Sequence, residues 1–244
     1  MTGRRGRIAF TTTRWTTVNR AARGSEGLAA TALSELCEIY WPPLYEYLRS
    51  RGHSPEEAQD LTQGCFARLL ATDAIRSADR TRGRFRSFLL TALKRYVVNE
   101  YEHGATVRRG GRHVHLSLDF DDAERTYRRE RREGDTPERQ FERKWALIAL
   151  DRALARLREE CEREGKGDMA ESLLPYLTDT SDLPPYRVVA AQLRLTEAAV
   201  KVAVHRLRRR YGEILRLEIA ETVAGPTEVE SELRDLLRAV SSGP

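Results

Sequence analysis

The sequence predicts an all-α protein: two small helical domains joined by a basic linker. Three observations carry this. Apolar residues recur at three- and four-residue steps over long stretches, the period of amphipathic helices. Aromatic residues are only 7% of the chain, thin material for a large sheet. Turn signals are few, 16 Gly and 9 Pro in 244 residues, where a many-stranded fold needs a turn every few residues. At 40% hydrophobic and 32% charged residues the chain is polar but not disordered by composition. Its length suits one or two domains.

Taken in order, residues 1–27 form a basic arm with Arg4, Arg5, Arg7, Arg14, Arg20 and Arg23. Trp15 and Val18 either dock a short turn of it on the body or leave a frayed terminus. Residues 28–103 are the first module. Leu33, Leu36, Ile39, Tyr40, Leu44, Tyr47 and Leu48 mark its first helical stretch, which Pro42-Pro43 is expected to kink or split. Ser54-Pro55-Glu56-Glu57 starts a second helix, with an N-cap serine and proline at the first helical position. That helix buries Ala58, Leu61, Cys65, Phe66 and Leu69. A loop over Ala74–Gly83 leads to a third helix over Arg84–Glu102, burying Phe85, Phe88, Leu89, Ala92, Leu93 and Tyr96.

Residues 104–136 carry Arg108-Arg109-Gly110-Gly111-Arg112 and a charged run from Arg125 to Arg132, with little apolar material; they read as a linker. Thr136-Pro137-Glu138 restarts a helix that runs to about Glu164, and residues 137–224 form the second module. A C-terminal extension, 225–244, holds a last helix from Glu228 to Val240. Its stripe of Val229, Leu233, Leu236, Leu237 and Val240 is expected to pack back on a helical module, because a short helix does not hold an apolar face in water alone. Its acids are also candidates to shield a basic recognition face.

Several function classes are excluded. Cys37, Cys65 and Cys161 lie far apart with no metal-ligand spacing, the usage of a reducing cytoplasm. No apolar run approaches a membrane span, and Arg4, Arg5 and Arg7 precede only Ile8-Ala9-Phe10, too short for a secretion signal. His103, His113 and His115 lack partners at ligand spacing, so no metal is expected. No Walker loop, Gly-x-Gly-x-x-Gly or nucleophile elbow is present. The expectation is a non-enzyme without cofactors. The formal charge of +5 and the dominance of arginine among the cations suit a polyanionic partner.

The segment Tyr186–Arg210 carries the most information. A short helix ends near Leu193, Arg194-Leu195 turns, Thr196 caps, and a long helix follows: a helix-turn-helix pattern. Ala190 is the small residue where the helices cross, and Leu195 is expected to plug the turn. Val200, Ala203, Val204, Leu207 and Tyr211 form the buried stripe. Glu197, Lys201, His205 and Arg208 lie on another stripe. With Thr196, Ala198, Arg206 and Arg209 they are the candidates for reading a major groove. From Arg194 to Arg210 six Lys or Arg face one acid. An ordinary helical hairpin with a solvated basic face is the competing reading.

The first module shows Asp60, Gln63 and Phe66 at i, i+3 and i+6, then Phe85-Arg-Ser-Phe-Leu through Lys94-Arg95 to Asn99. These residues resemble region 2 of RNA polymerase sigma factors of the sigma-70 superfamily, extracytoplasmic-function (ECF) type. Gly64 stands where that family usually has an acid. The helix-turn-helix resembles region 4. Thr12–Thr16, Arg82–Phe88 and Thr136–Arg139 resemble recurring phrases of a planctomycete-rich subgroup with an extended C-terminus. The resemblance implies a cytoplasmic subunit, monomeric when free. It would direct polymerase core enzyme to promoter DNA, with an anti-sigma or other regulatory protein as a further partner class. Asp60, Gln63 and Phe66 would contact the polymerase. Lys201 and its stripe would read the −35 element. Arg82, Gly83, Arg84, Phe85, Arg86, Arg95 and Asn99 would hold and open the −10 element. In that set glycine lets backbone approach the strand, Phe85 offers a stacking surface or wall, and the arginines hold phosphates. The alternative is a helix-turn-helix regulator that binds DNA without replacing a sigma subunit.

Overall fold

The computed structural model describes residues 26–72, 84–103, 119–178, 183–223 and 225–241. The basic arm, the 74–83 loop with Arg82 and Gly83, and the Arg108–Arg112 run lie outside the described residues. Those described form helices and connecting turns, with no strand among them, as an all-α fold requires. None of the described helices is long and apolar enough to cross a membrane.

The chain forms two compact units. The first gathers the described residues up to Ile148 and those from Ile219 onward; the second is Ala149–Glu218. In the first unit, α1 (Glu26–Ser50) runs through Pro42 and Pro43 without ending at either. Leu36, Tyr40, Leu44, Tyr47 and Leu48 are buried along it, the expected stripe. α2 (Pro55–Ala71) starts with a reciprocal cap: Glu57 N–H donates to Ser54 Oγ at 3.1 Å, and Ser54 N–H donates to Glu57 Oε2 at 2.9 Å. Ala58, Cys65, Phe66 and Leu69 turn into the core. α3 (Phe85–His103) adds Phe85, Leu89 and Leu93.

The linker expected over 104–136 contains a packed helix, α4 (Phe120–Glu130), capped by Asp119. The Phe120 ring centroid lies 4.7 Å from that of Trp41 and 5.7 Å from that of Tyr45. Ala123 and Tyr127 are buried. Glu124 accepts from Tyr45 Oη at 2.7 Å and from Arg49 at 2.9 and 3.0 Å. A charged sequence thus folds because three apolar residues meet α1 and one carboxylate meets an arginine and a tyrosine.

The boundary expected at residue 137 also moves. α5 (Pro137–Arg163) gives its first residues to the first unit, where Lys144 Nζ lies 2.9 Å from Glu46 and 3.1 Å from Glu130. Buried Gln140 donates to Glu46 at 3.2 Å. The extension joins the same unit. A 3₁₀ turn, Pro226–Glu228, leads into α10 (Val229–Ser241). Of its expected stripe, Leu236 is buried and Val229, Leu233 and Val240 are half-buried, while Leu237 is 47% exposed; Glu232, at 0% exposure, joins the covered face.

The second unit holds the rest of α5, α6 (Gly167–Leu173), α7 (Pro175–Thr178), α8 (Tyr186–Leu193) and most of α9 (Glu197–Ala220). Tyr211 Oη donates to the Leu150 carbonyl at 3.1 Å, and the Tyr176 and Tyr186 rings stack at 4.9 Å. Arg210 grips Glu160 through two nitrogens at 2.7 and 2.9 Å. That places Arg210 in the framework of the unit, where the hydrogen bonds it donates to Glu160 and Glu213 hold its charge firmly.

Candidate nucleic-acid interface

α8 and α9 build the helix-turn-helix. α8 ends in a left-handed cap at Arg194, φ 55° and ψ 40°, the one non-glycine residue of this kind among those described. The Leu195 N–H donates to the Ala190 carbonyl at 2.9 Å and closes the turn. Thr196 Oγ1 accepts from the Ala199 N–H at 3.2 Å and starts α9. Val189, Ala190, Val200, Val204 and Leu207 are buried between the helices. Leu195 was expected to plug this turn; instead its side chain is 41% exposed. The backbone bond and Ala190 close the turn without it.

Thr196, Glu197, Ala198, Lys201, His205, Arg206, Arg208 and Arg209 are all exposed on α9. Their neighbours differ. Lys201 pairs with Glu197 at 2.7 Å, which raises its pKa, and lies 6.0 Å from the Tyr186 ring centroid. Arg208 donates to the Tyr176 carbonyl at 2.9 Å, so its guanidinium is anchored to α7. Arg209 pairs with Glu213 at 3.1 Å. Of the candidates for reading a groove, Arg208 is tethered to another helix, while Lys201 and Arg209 are paired within α9.

In the first unit, Asp60 is exposed on α2 and Gln63 is half-buried one turn on. Phe66, expected both on the buried face of this helix and at the polymerase contact, is buried in the core with Ala58, Cys65 and Leu69. Burial pushes the neighbouring Cys65 thiol up to about 12. Gly64 has a local cause: a Cβ there would stand 2.2 Å from the Tyr96 hydroxyl. α3 lies that close to α2, and the acid usual at this position in the resembled family has no room.

The −10 candidates divide. Arg95 is exposed and Asn99 half-buried on α3. Phe85, expected among the buried residues of this helix and also as a stacking surface, is core: its ring meets Tyr40 edge-on at 5.3 Å and stacks with Phe88 at 5.8 Å. Arg86, expected to hold a phosphate, is 2% exposed. Its guanidinium lies 4.2 Å over the Trp145 ring and pairs with Glu142 at 2.7 Å and with Glu232. Arg84 pairs with Glu232 and Asp235, both at 2.6 Å. The Arg84 bond holds the Asp235 carboxyl below its ordinary pKa. The structure thus adds Glu142, Trp145, Glu232 and Asp235 to the neighbourhood of the strand-opening candidates. Val98 and Tyr101 join Arg95 as exposed side chains of α3; the Tyr101 ring, 66% exposed, stacks with the His53 ring at 6.2 Å. Only the complementary signs of residues 84–86 and 232–235 hinted at the pairing.

Residues 36–105 match the family model Sigma-70 region 2. No curated protein and no solved structure matches the chain. The matched span covers α1 from Leu36, α2 and α3. It indicates a sigma factor role, promoter recognition and RNA polymerase binding, for the module that carries Asp60, Gln63, Arg95 and Asn99.

Proposed function

We propose that this chain, a carrier of sigma-70 region 2, is a dissociable initiation subunit of bacterial RNA polymerase of the ECF type. Its first unit would bind core enzyme through the α2 surface with Asp60 and Gln63. Through α3, Arg95 and Asn99 would take the displaced −10 strand. Its second unit would read the −35 element through Lys201, His205 and Arg206. The observation that carries this reading is the presence, on the same chain as region 2, of a capped helix-turn-helix with an exposed basic stripe. No cofactor enters: charge-assisted contacts supply affinity, and captured bases repay the cost of unpairing. The free protein would be cytoplasmic and monomeric, and open to regulation by an anti-sigma protein.

The test is reconstitution. The purified chain is added to sigma-free core polymerase with fragments of bacterial genomic DNA. Discrete transcripts that need both components are expected. Tight binding of specific duplexes by the chain alone, with no transcript, would favour a helix-turn-helix regulator acting without polymerase.

A further inference from the structure

Two of the strand-opening candidates, Arg84 and Arg86, stand at the start of α3, and acids hold both. Arg84 and Arg86 face Glu142 from α5 and Glu232 and Asp235 from α10. Two positive charges thus meet three negative ones, and Arg238 of α10 also pairs with Asp235 at 3.3 Å. Without α10 the same place would hold two positive charges and one negative. The last helix therefore cancels the net positive charge at the point where a phosphate backbone would arrive. The two pairs are not equivalent. Glu232 is wholly buried, whereas the Arg84 and Asp235 side chains keep 31% and 35% of their exposure. Solvent, and a competing anion, reach the Arg84–Asp235 pair first.

Beyond these pairs α10 buries Leu236 fully and Val229, Leu233 and Val240 in part, while Leu237 faces out. A polyanion offering the same arginines equivalent partners competes for the ion pairs of this thirteen-residue helix.

We infer that α10 is an acidic cover that occupies Arg84 and Arg86 in place of a single-stranded nucleic acid backbone, and that it must leave when the strand binds. This rests on the strand-opening reading of α3 given above. It assigns the extension to that site, whereas the sequence suggested it as a shield for a recognition face.

The full-length chain with Glu232→Gln and Asp235→Asn tests the inference. Both changes keep shape and remove charge. Binding of fluorescein-labelled oligo(dT) is followed by anisotropy across a salt series. The neutralised chain should bind about fivefold tighter or better at low salt. Its plot of log affinity against log salt should steepen by about 0.7 for each phosphate gained, up to two. Adding Arg84→Ala should remove most of the gain. Unchanged affinity and slope would overturn the inference. So would a neutralised chain that loses its cooperative thermal transition, since the cluster would then be structural support. Transcription by the unaltered chain with core enzyme is measured in parallel. Its failure counts against the sigma reading. Normal transcription with no gain on neutralisation counts against the cover alone.

Discussion

At Arg194 the backbone sits at φ 55°, where an L side chain costs about 1–2 kcal/mol relative to the right-handed region. Arg194→Gly should therefore stabilise the second unit by up to about 1 kcal/mol, net of the added freedom of glycine in the unfolded chain. A rise in the urea midpoint at constant m-value would show it. Gly64 is the reverse case. Gly64→Ala gains helix propensity worth about 1 kcal/mol, but its Cβ collides with the Tyr96 hydroxyl. The expected result is a net loss of about 1–2 kcal/mol, partly recovered by adding Tyr96→Phe. Equal midpoints for both variants and the parent would show that the ring moves freely. Both positions were visible in the sequence as departures, an arginine where turns favour glycine and a glycine where an acid is usual. The left-handed cap could be anticipated, because it is local. The Tyr96 contact could not, because it joins residues 32 positions apart. On the recognition helix, Lys201→Ala should weaken promoter binding more than binding to random DNA, by about 1–3 kcal/mol if Lys201 contacts a base. Equal losses on the two DNAs would make it a phosphate anchor.

Helices with a clean apolar period were legible, and those held by charge were not. α1, α2 and α3 follow their expected stripes because hydrophobic burial selects one face. α4 hid inside a charged run because its anchors are Phe120, Ala123, Tyr127 and one paired carboxylate. Glu124 also sets a pH limit on that helix. Burial opposes its charge, but hydrogen bonds from Arg49, Tyr45 and Arg128 outweigh this and bring its pKa down to about 2. A depressed carboxylate stabilises the fold above its unfolded pKa of about 4.3 and loses that contribution as pH falls toward 2. The stability of the first unit should decline over that window, and Glu124→Gln should flatten the decline. An acid limb of the same depth in the variant would assign it to other carboxylates. In α10 the period indicated Leu233, Leu236 and Leu237, but Glu232 claims the buried face by reaching Arg86. Leu236→Ala should cost about 2–4 kcal/mol and Leu237→Ala less than about 0.5 kcal/mol, as read from thermal melts.

For the molecule as a whole, strand opening and duplex binding should separate. Arg95→Ala with Asn99→Ala is expected to form holoenzyme and bind duplex promoter. It should initiate poorly there, and recover on a template carrying a pre-melted bubble. Normal permanganate reactivity of −10 thymines in this variant would remove both residues from melting. The sequence shows the two motifs on different stretches, which is what the expected division of labour rests on. It did not make the arrangement of the chain readable. The first unit draws residues from both sides of Ala149–Glu218, and only distant pairs such as Arg86–Glu232 reveal this. The connectivity has a consequence for synthesis. Translation advances at roughly 5–20 residues per second, and domains fold as their residues become available. The ribosome therefore delivers every residue of the inserted helix-turn-helix unit before it delivers Glu232. Arg86 waits on the order of ten seconds for Glu232. For that interval the nascent protein holds every residue of the helix-turn-helix unit, while Arg84 and Arg86 have yet to meet Glu232 and Asp235.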